Sequence, residues 1–185
     1  MNIFVLDEFP MLAAQYHSDT HVVKMTLESA QLLCTCHHAL APIREHPLKH
    51  LYRPTHITHP CAKWLRESRT NYEWLYELFR HLADEYKFRY HKDHKSWVDL
   101  KRLLAKPPER IPDKSRTPFA RAFGVNWVED LMLAGDVDAY RRYYVTKHDI
   151  NRWERGRPQP EWYTDLLGQS LSRPRELGKQ ENYNG

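Results

Sequence analysis

Glycine is scarce: the chain has six in 185 residues. Phosphate-cradling loops are built on glycine, and no P-loop, G-x-G-x-x-G or G-x-S-x-G occurs anywhere. Dinucleotide and nucleoside-triphosphate folds are therefore argued against. Cysteine is scarce too. Cys34, Cys36 and Cys61 are odd in number, and the first two are too close along a helix to bridge. No disulfide framework is implied, and a reducing cytoplasm is the natural setting. No apolar run approaches the roughly 18 residues of a membrane span. The short run at residues 3–6, with acids behind it, is not a signal peptide. A soluble, cytoplasmic protein with no membrane partner is expected.

What the chain does have is an ordinary globular composition, 41% apolar and 28% charged, too apolar for disorder. Its length suits one domain with a tail, and such a domain buries about 70% of its unfolded surface without staples. We place the domain at residues 1–167 and a flexible tail at 168–185. Charge is uneven. Residues 87–121 hold 11 Lys/Arg against 4 Asp/Glu, whereas residues 1–86 hold 8 against 10. A concentrated positive field is what an anionic polymer would need, although a solvated face gives the same numbers.

The pattern predicts a mostly α, single-domain helical bundle with a long central helix pair and irregular basic loops. Residues 3–6 read as a short strand or extended lead-in. Pro10 opens a short helix through His17. Asp19 is placed as the N-cap of a second helix over residues 20–40, ended by Pro42 and Pro47. After a Pro-rich loop, Pro60 starts a helix to Tyr90 whose apolar stripe is interrupted only at Ser68. Ser96 is placed as the cap of a helix to Ala105, with Trp97, Leu100, Leu103 and Leu104 inward. Residues 107–126 read as an exposed basic loop. Helices at 127–133, 136–148 and 162–167 complete the expectation.

The second helix carries the most distinctive chemistry. If it runs straight through, His17, His21, Lys24, Glu28, Gln31, Thr35 and His38 fall within about 100° of one another. Most of the remaining circumference is apolar, which makes the helix central. Its polar stripe then reaches solvent through a narrow window or lines a cleft. In a cleft, Glu28 would be a general acid or base and Lys24 an electrostatic clamp or, if desolvated, a nucleophile, with His21 beside them. His17 and Gln31 would contact substrate. An amphipathic helix with one wet face is the alternative.

Two further groups are candidate substrate contacts. His56, His59 and Arg66 stand at the start of the long helix, where an anion would be welcome. Arg141, Arg142, Lys147, Arg152 and Trp153 interleave cations with aromatics, a pattern that suits phosphate contacts and base stacking. The 12 histidines invite a metal reading, since His17 and His21 have helical i,i+4 spacing. No H-E-x-x-H or third ligand at fixed spacing joins them, and no metal or other cofactor is expected.

The runs MNIFVLD, HVVKMTLESAQLL, THITHPCAKWLRES, NYEWLYELF and AYRRYYV, with a closing EWY, resemble a family of bacteriophage proteins without an assigned activity. The resemblance covers most of residues 1–165 and implies a phage origin, hence a host-cell cytoplasm. Size, helicity, the basic middle and Arg157-Pro158 followed by Trp162-Tyr163 also resemble, weakly, the pyrimidine-dimer DNA glycosylases of T-even phages. Those enzymes use an N-terminal amine and an early-helix glutamate. Here Asn2 is too bulky for the usual removal of Met1, and the aligned position falls near His21. The resemblance would pass the amine role to Lys24 or Met1 and the carboxylate role to Glu28. The leading expectation is a phage enzyme acting on nucleic-acid bases, DNA in preference to RNA, by glycosylase-type excision or by modification. A non-catalytic nucleic-acid- or protein-binding factor is the alternative, and a histidine-dependent metal hydrolase the second.

Overall fold

Two 22-residue helices free of proline pack on each other and organise the chain. The computed structural model describes residues 1–41, 47–123 and 134–172. Its α-helices are α1 (Pro10–Tyr16), α2 (Asp19–Leu40), α3 (Pro60–Glu67), α4 (Arg69–Tyr90), α5 (Lys95–Leu104), α6 (Asp136–Val145) and α7 (Glu161–Ser172), with a 3-10 turn at Pro47–His50. The fold is mostly α, and no strand occurs among the described residues. None of the described helices is long and apolar enough to cross a membrane.

The long helix expected from Pro60 to Tyr90 is two helices. Ser68, the one polar interruption, is their shared cap: extended at φ −153°, it takes Asn71 N–H on its hydroxyl. Its neighbours Trp64, Leu65, Tyr72 and Leu75 are buried on both sides of the break. The α2 cap also differs by one residue. Ser18 is the N-cap, and Asp19 is drawn inward by Arg89. Similarly His94, not Ser96, caps α5 by accepting from Ser96 N–H. Leu103 is 41% exposed rather than inward, because Leu100 and Leu104 already fill the face against the core. α7 continues through residue 172, five residues past the expected segment. The expected helix at 127–133, residues 124–126 of the basic loop and residues 173–185 of the tail lie outside the described residues.

Residues 3–6 are extended but pair with no strand. They are wholly inside, Ile3, Val5 and Leu6 at 0% exposure. Side chains satisfy their backbone in place of a ladder. Asn2 Oδ1 accepts Ile3 N–H and Arg141 Nε of α6 donates to Leu6 O, while the adjoining Asn2 N–H donates to Glu28 of α2. This segment thus ties α2 and α6 together beside the candidate site.

A buried ion network closes the far end of α4. Arg89, with no exposed side-chain surface, donates to Glu85, Asp19, His17 O and Gln15 O. Asp19 also accepts Glu154 N–H, and Glu85 pairs with Arg157. One guanidinium so joins the α1–α2 corner to α4, and the two carboxylates join both to residues 152–157.

Candidate functional site

The polar stripe of α2 is closed at its ends and open in its middle. His17 is not on α2 at all. It terminates α1 in extended geometry, and its ring is fully buried. Nδ1 stands 2.6 Å from Ala13 O. A carbonyl only accepts, so Nδ1 holds the proton and the buried Nε2 lone pair has no partner. Burial, the largest cause, pushes the pKa down to about 3. His21 is 2% exposed, with Nδ1 2.7 Å from Tyr144 Oη and 3.1 Å from Ser18 Oγ. Burial first, then the charges of Lys147 and Lys24, push it down to about 4. Both rings are neutral at physiological pH.

Lys24 and Glu28 form the open middle. The Lys24 side chain is 63% exposed and its Nζ lies 3.7 Å from Glu28 Oε1, whose side chain is 12% exposed. The second carboxylate oxygen accepts Asn2 N–H at 2.9 Å. Gln31 is half-buried on the next turn. Thr35 is buried and bonded to the 52–56 segment through Thr55, and His38 meets Tyr52 O. On the remainder of α2, Val22, Met25, Ala30, Leu32, Leu33 and Cys34 are buried as expected, whereas Val23 is half-buried and Leu27 is 39% exposed.

His59 belongs to the same neighbourhood. It caps α3 by accepting Cys61 N–H on Nδ1, which leaves the ring proton on Nε2. Its pKa is lowered by burial first, then by the Met1 amino group and His56, with Glu28 opposing. Glu28, the Met1 amino group and His59 therefore come to one neighbourhood from three segments, whereas the sequence had placed His59 with His56 and Arg66. His56 is exposed at φ +50°, with Nδ1 2.6 Å from Thr55 Oγ1. Arg66 donates to Ile57 O through Nη2, while its buried Nη1 has no partner. Arg66 supports this loop from below.

The basic aromatic group divides differently from expectation. Arg141 is spent on Leu6 O and Asp7, with its guanidinium over Tyr16 and Trp162. Trp153 donates to Tyr16 O and packs at 4.7 Å from the Tyr163 ring. Arg152 reaches the carbonyls of His148 and Asn151, and Arg142 pairs with Asp138 along α6. Lys147 alone of this group points to the stripe, 4.7 Å from the Tyr143 ring and 5.9 Å from that of Phe4. In the basic middle, Arg116 pairs with Glu8, Arg121 with Asp136 and Lys95 with Asp99. Lys92, Arg102, Lys106, Arg110 and Lys114 are exposed with no acidic partner among the described residues.

Phe4, Tyr143, Tyr144 and Ser18 were not anticipated near His21. An extended apolar run shows which residues are buried but not which helix they cross. Its one signal was a polar stripe beside a buried segment too short to be a helix. Among the described residues, no group of three or more His, Cys, Asp or Glu side chains could hold a metal ion. Burial pushes the thiol of Cys34 up to about 11 and those of Cys36 and Cys61 up to about 12. A shallow apolar groove of about 430 Å³, lined by Phe9, Pro10, Met11, Leu12, Glu77 and His81, shares no residue with the stripe.

No protein-family model, curated protein or solved structure matches the chain.

Proposed function

We propose that the protein is an enzyme of phage origin that acts on nucleic-acid bases, with Glu28 as its general acid–base. The observation that carries the reading is the state of that carboxylate. It lies almost buried on the central helix, fixed by Asn2 N–H and facing Lys24, with the Met1 amino group and His59 nearby. A carboxylate held in one geometry beside amines is what glycosidic-bond cleavage needs: a group to take or give a proton and a cation to steady developing charge. Lys24 suits the clamp better than the nucleophile. Desolvation activates a lysine, and its side chain is 63% exposed. The exposed cations Arg102, Lys106, Arg110 and Lys114 would hold the backbone of a DNA substrate.

The openness of the stripe at Lys24 supports a second reading, a nucleic-acid- or protein-binding factor that performs no chemistry. Incubation with oligonucleotides carrying damaged or modified bases, with and without borohydride, separates the two. Base release or modification that Glu28→Gln abolishes supports the enzyme. A borohydride-trapped adduct on Lys24 or Met1 would assign an imine step, and release without an adduct would assign activated water. Binding with no conversion supports the factor.

A further inference from the structure

Phe4 has φ +37°, a backbone region that a bulky L residue rarely occupies and that persists where its surroundings hold it. Its ring is held among His21 at 5.1 Å, Tyr144 at 5.1 Å and Tyr143 at 6.1 Å, nearly parallel to the last. The Lys147 ammonium rests near the Phe4 and Tyr143 rings. On α2, Lys24 follows His21 by three residues, so the two share a face.

Proton accounting orients His21. Ser18 gives its N–H to Tyr144 Oη and its hydroxyl proton to Asn151 Oδ1, each at 2.9 Å. The Tyr144 proton is left for His21 Nδ1, the nearer of its two acceptors at 2.7 Å; the competing contact to Ser18 Oγ is longer, 3.3 Å. Nδ1 therefore accepts, the ring proton sits on Nε2, and both hydrogen bonds of the ring among the described residues are made by Nδ1. The lowered basicity of the ring, to which both lysines contribute, keeps it in this neutral donor form.

We propose that His21 Nε2–H, Lys24 and Lys147 form a binding site for a phosphate group, with the Phe4 and Tyr143 rings as its floor. Two point cations and a fixed neutral donor, two of the groups on α2 and Lys147 from beyond the end of α6, match a tetrahedral anion. A planar carboxylate is better served by an arginine fork, and the nearby arginines Arg141 and Arg142 are already paired. Glu28 is the acid nearest Lys24, and at 3.7 Å it leaves that flexible ammonium free to turn toward the anion. The inference rests on reading the α2 face as the working face. The phosphate would come from a nucleic-acid backbone or from a small phosphorylated compound.

The test is a titration of the full ¹⁵N-labelled chain, following the His21 ring signals, with inorganic phosphate in one arm and a short single-stranded oligonucleotide in the other. A saturable His21 shift is expected with phosphate. It should weaken about tenfold in Lys147→Met and in Lys24→Met, the size expected for one charged hydrogen bond, and stay unchanged in Lys101→Met on α5. A matching shift with the oligonucleotide assigns the nucleic-acid backbone, and a shift with phosphate alone assigns a small phosphorylated ligand. Dispersed amide spectra of the lysine variants report that they fold. Silence of the His21 ring in both arms, or a response indifferent to Lys147→Met, overturns the site. Activity lost in Glu28→Gln while the ring stays silent would sink this inference and keep the enzyme. A saturable shift with Glu28→Gln fully active would do the reverse.

Discussion

Asn2 and Glu28, 26 residues apart, are joined by a 2.9 Å bond from a backbone N–H to a carboxylate oxygen. That bond fixes the general acid–base candidate to the buried segment at residues 3–6. Glu28→Gln retains an acceptor for Asn2 N–H, so its melting temperature should stay close to wild type. Glu28→Ala leaves the N–H without a partner and should cost about 1–3 kcal/mol. Thermal melts of the three proteins measure the difference, and equal melts for Gln and Ala would show that the bond holds nothing.

Arg89 is the keystone of the ion network. Its removal strands Asp19 and Glu85, whose side chains are 8% and 6% exposed. Breaking such a buried network typically costs about 3–5 kcal/mol. Arg89→Met should lose that much in urea unfolding, whereas Arg80→Met, which breaks exposed pairs with Glu77 and Asp84, should lose under about 1 kcal/mol.

Acid should unfold the protein through its interior imidazoles. His17 is held down to about 3, and His21 and His37 to about 4, in each case chiefly by burial. The unfolded chain takes up these protons near pH 6.5, the folded one much lower. The stability they contribute is thus complete above pH 6.5 and is lost as pH falls toward 4, by up to about 1.4 kcal/mol per pH unit for each ring. Urea midpoints followed across that window should fall steeply in wild type and less steeply in His17→Leu.

The fold class was legible because helical periodicity survives in a stripe, and α2 and α4 carry long ones. The break at Ser68 was visible as a polar residue in an apolar row. Its meaning was not, because only tertiary packing decides whether a serine interrupts a helix or caps one. Lys24 and Glu28 were legible as neighbours from i,i+4 spacing. Their approach to Asn2 and His59 was not, because extended segments have no periodicity that names a partner. Arg141 and Trp153 show the opposite error. Cations interleaved with aromatics look the same whether they face a nucleic acid or, as Arg141 does, latch the segment at Leu6.

Nucleic-acid binding should follow the unpaired cations. Neutralising Lys106 or Arg110 should lower the slope of log K against log salt by roughly one unit each if the residue contacts a phosphate. Arg142→Ala, already neutralised by Asp138, should change that slope less. Trp153→Ala should act through stability, since its indole is committed to Tyr16 and Tyr163. Filter binding at several salt concentrations, beside a melt of each variant, distinguishes these outcomes.

The central claim is that the Glu28 carboxylate performs chemistry on a nucleic-acid base. Its most direct measurement is mass spectrometry of base release or modification on DNA oligonucleotides spanning common lesions and modified bases, with wild type and Glu28→Gln compared at equal thermal stability. Conversion by wild type that falls at least about a hundredfold in Glu28→Gln is expected, the loss typical of removing a general acid–base. Conversion at equal rates by both proteins, or by neither on any duplex or single strand, would contradict the account.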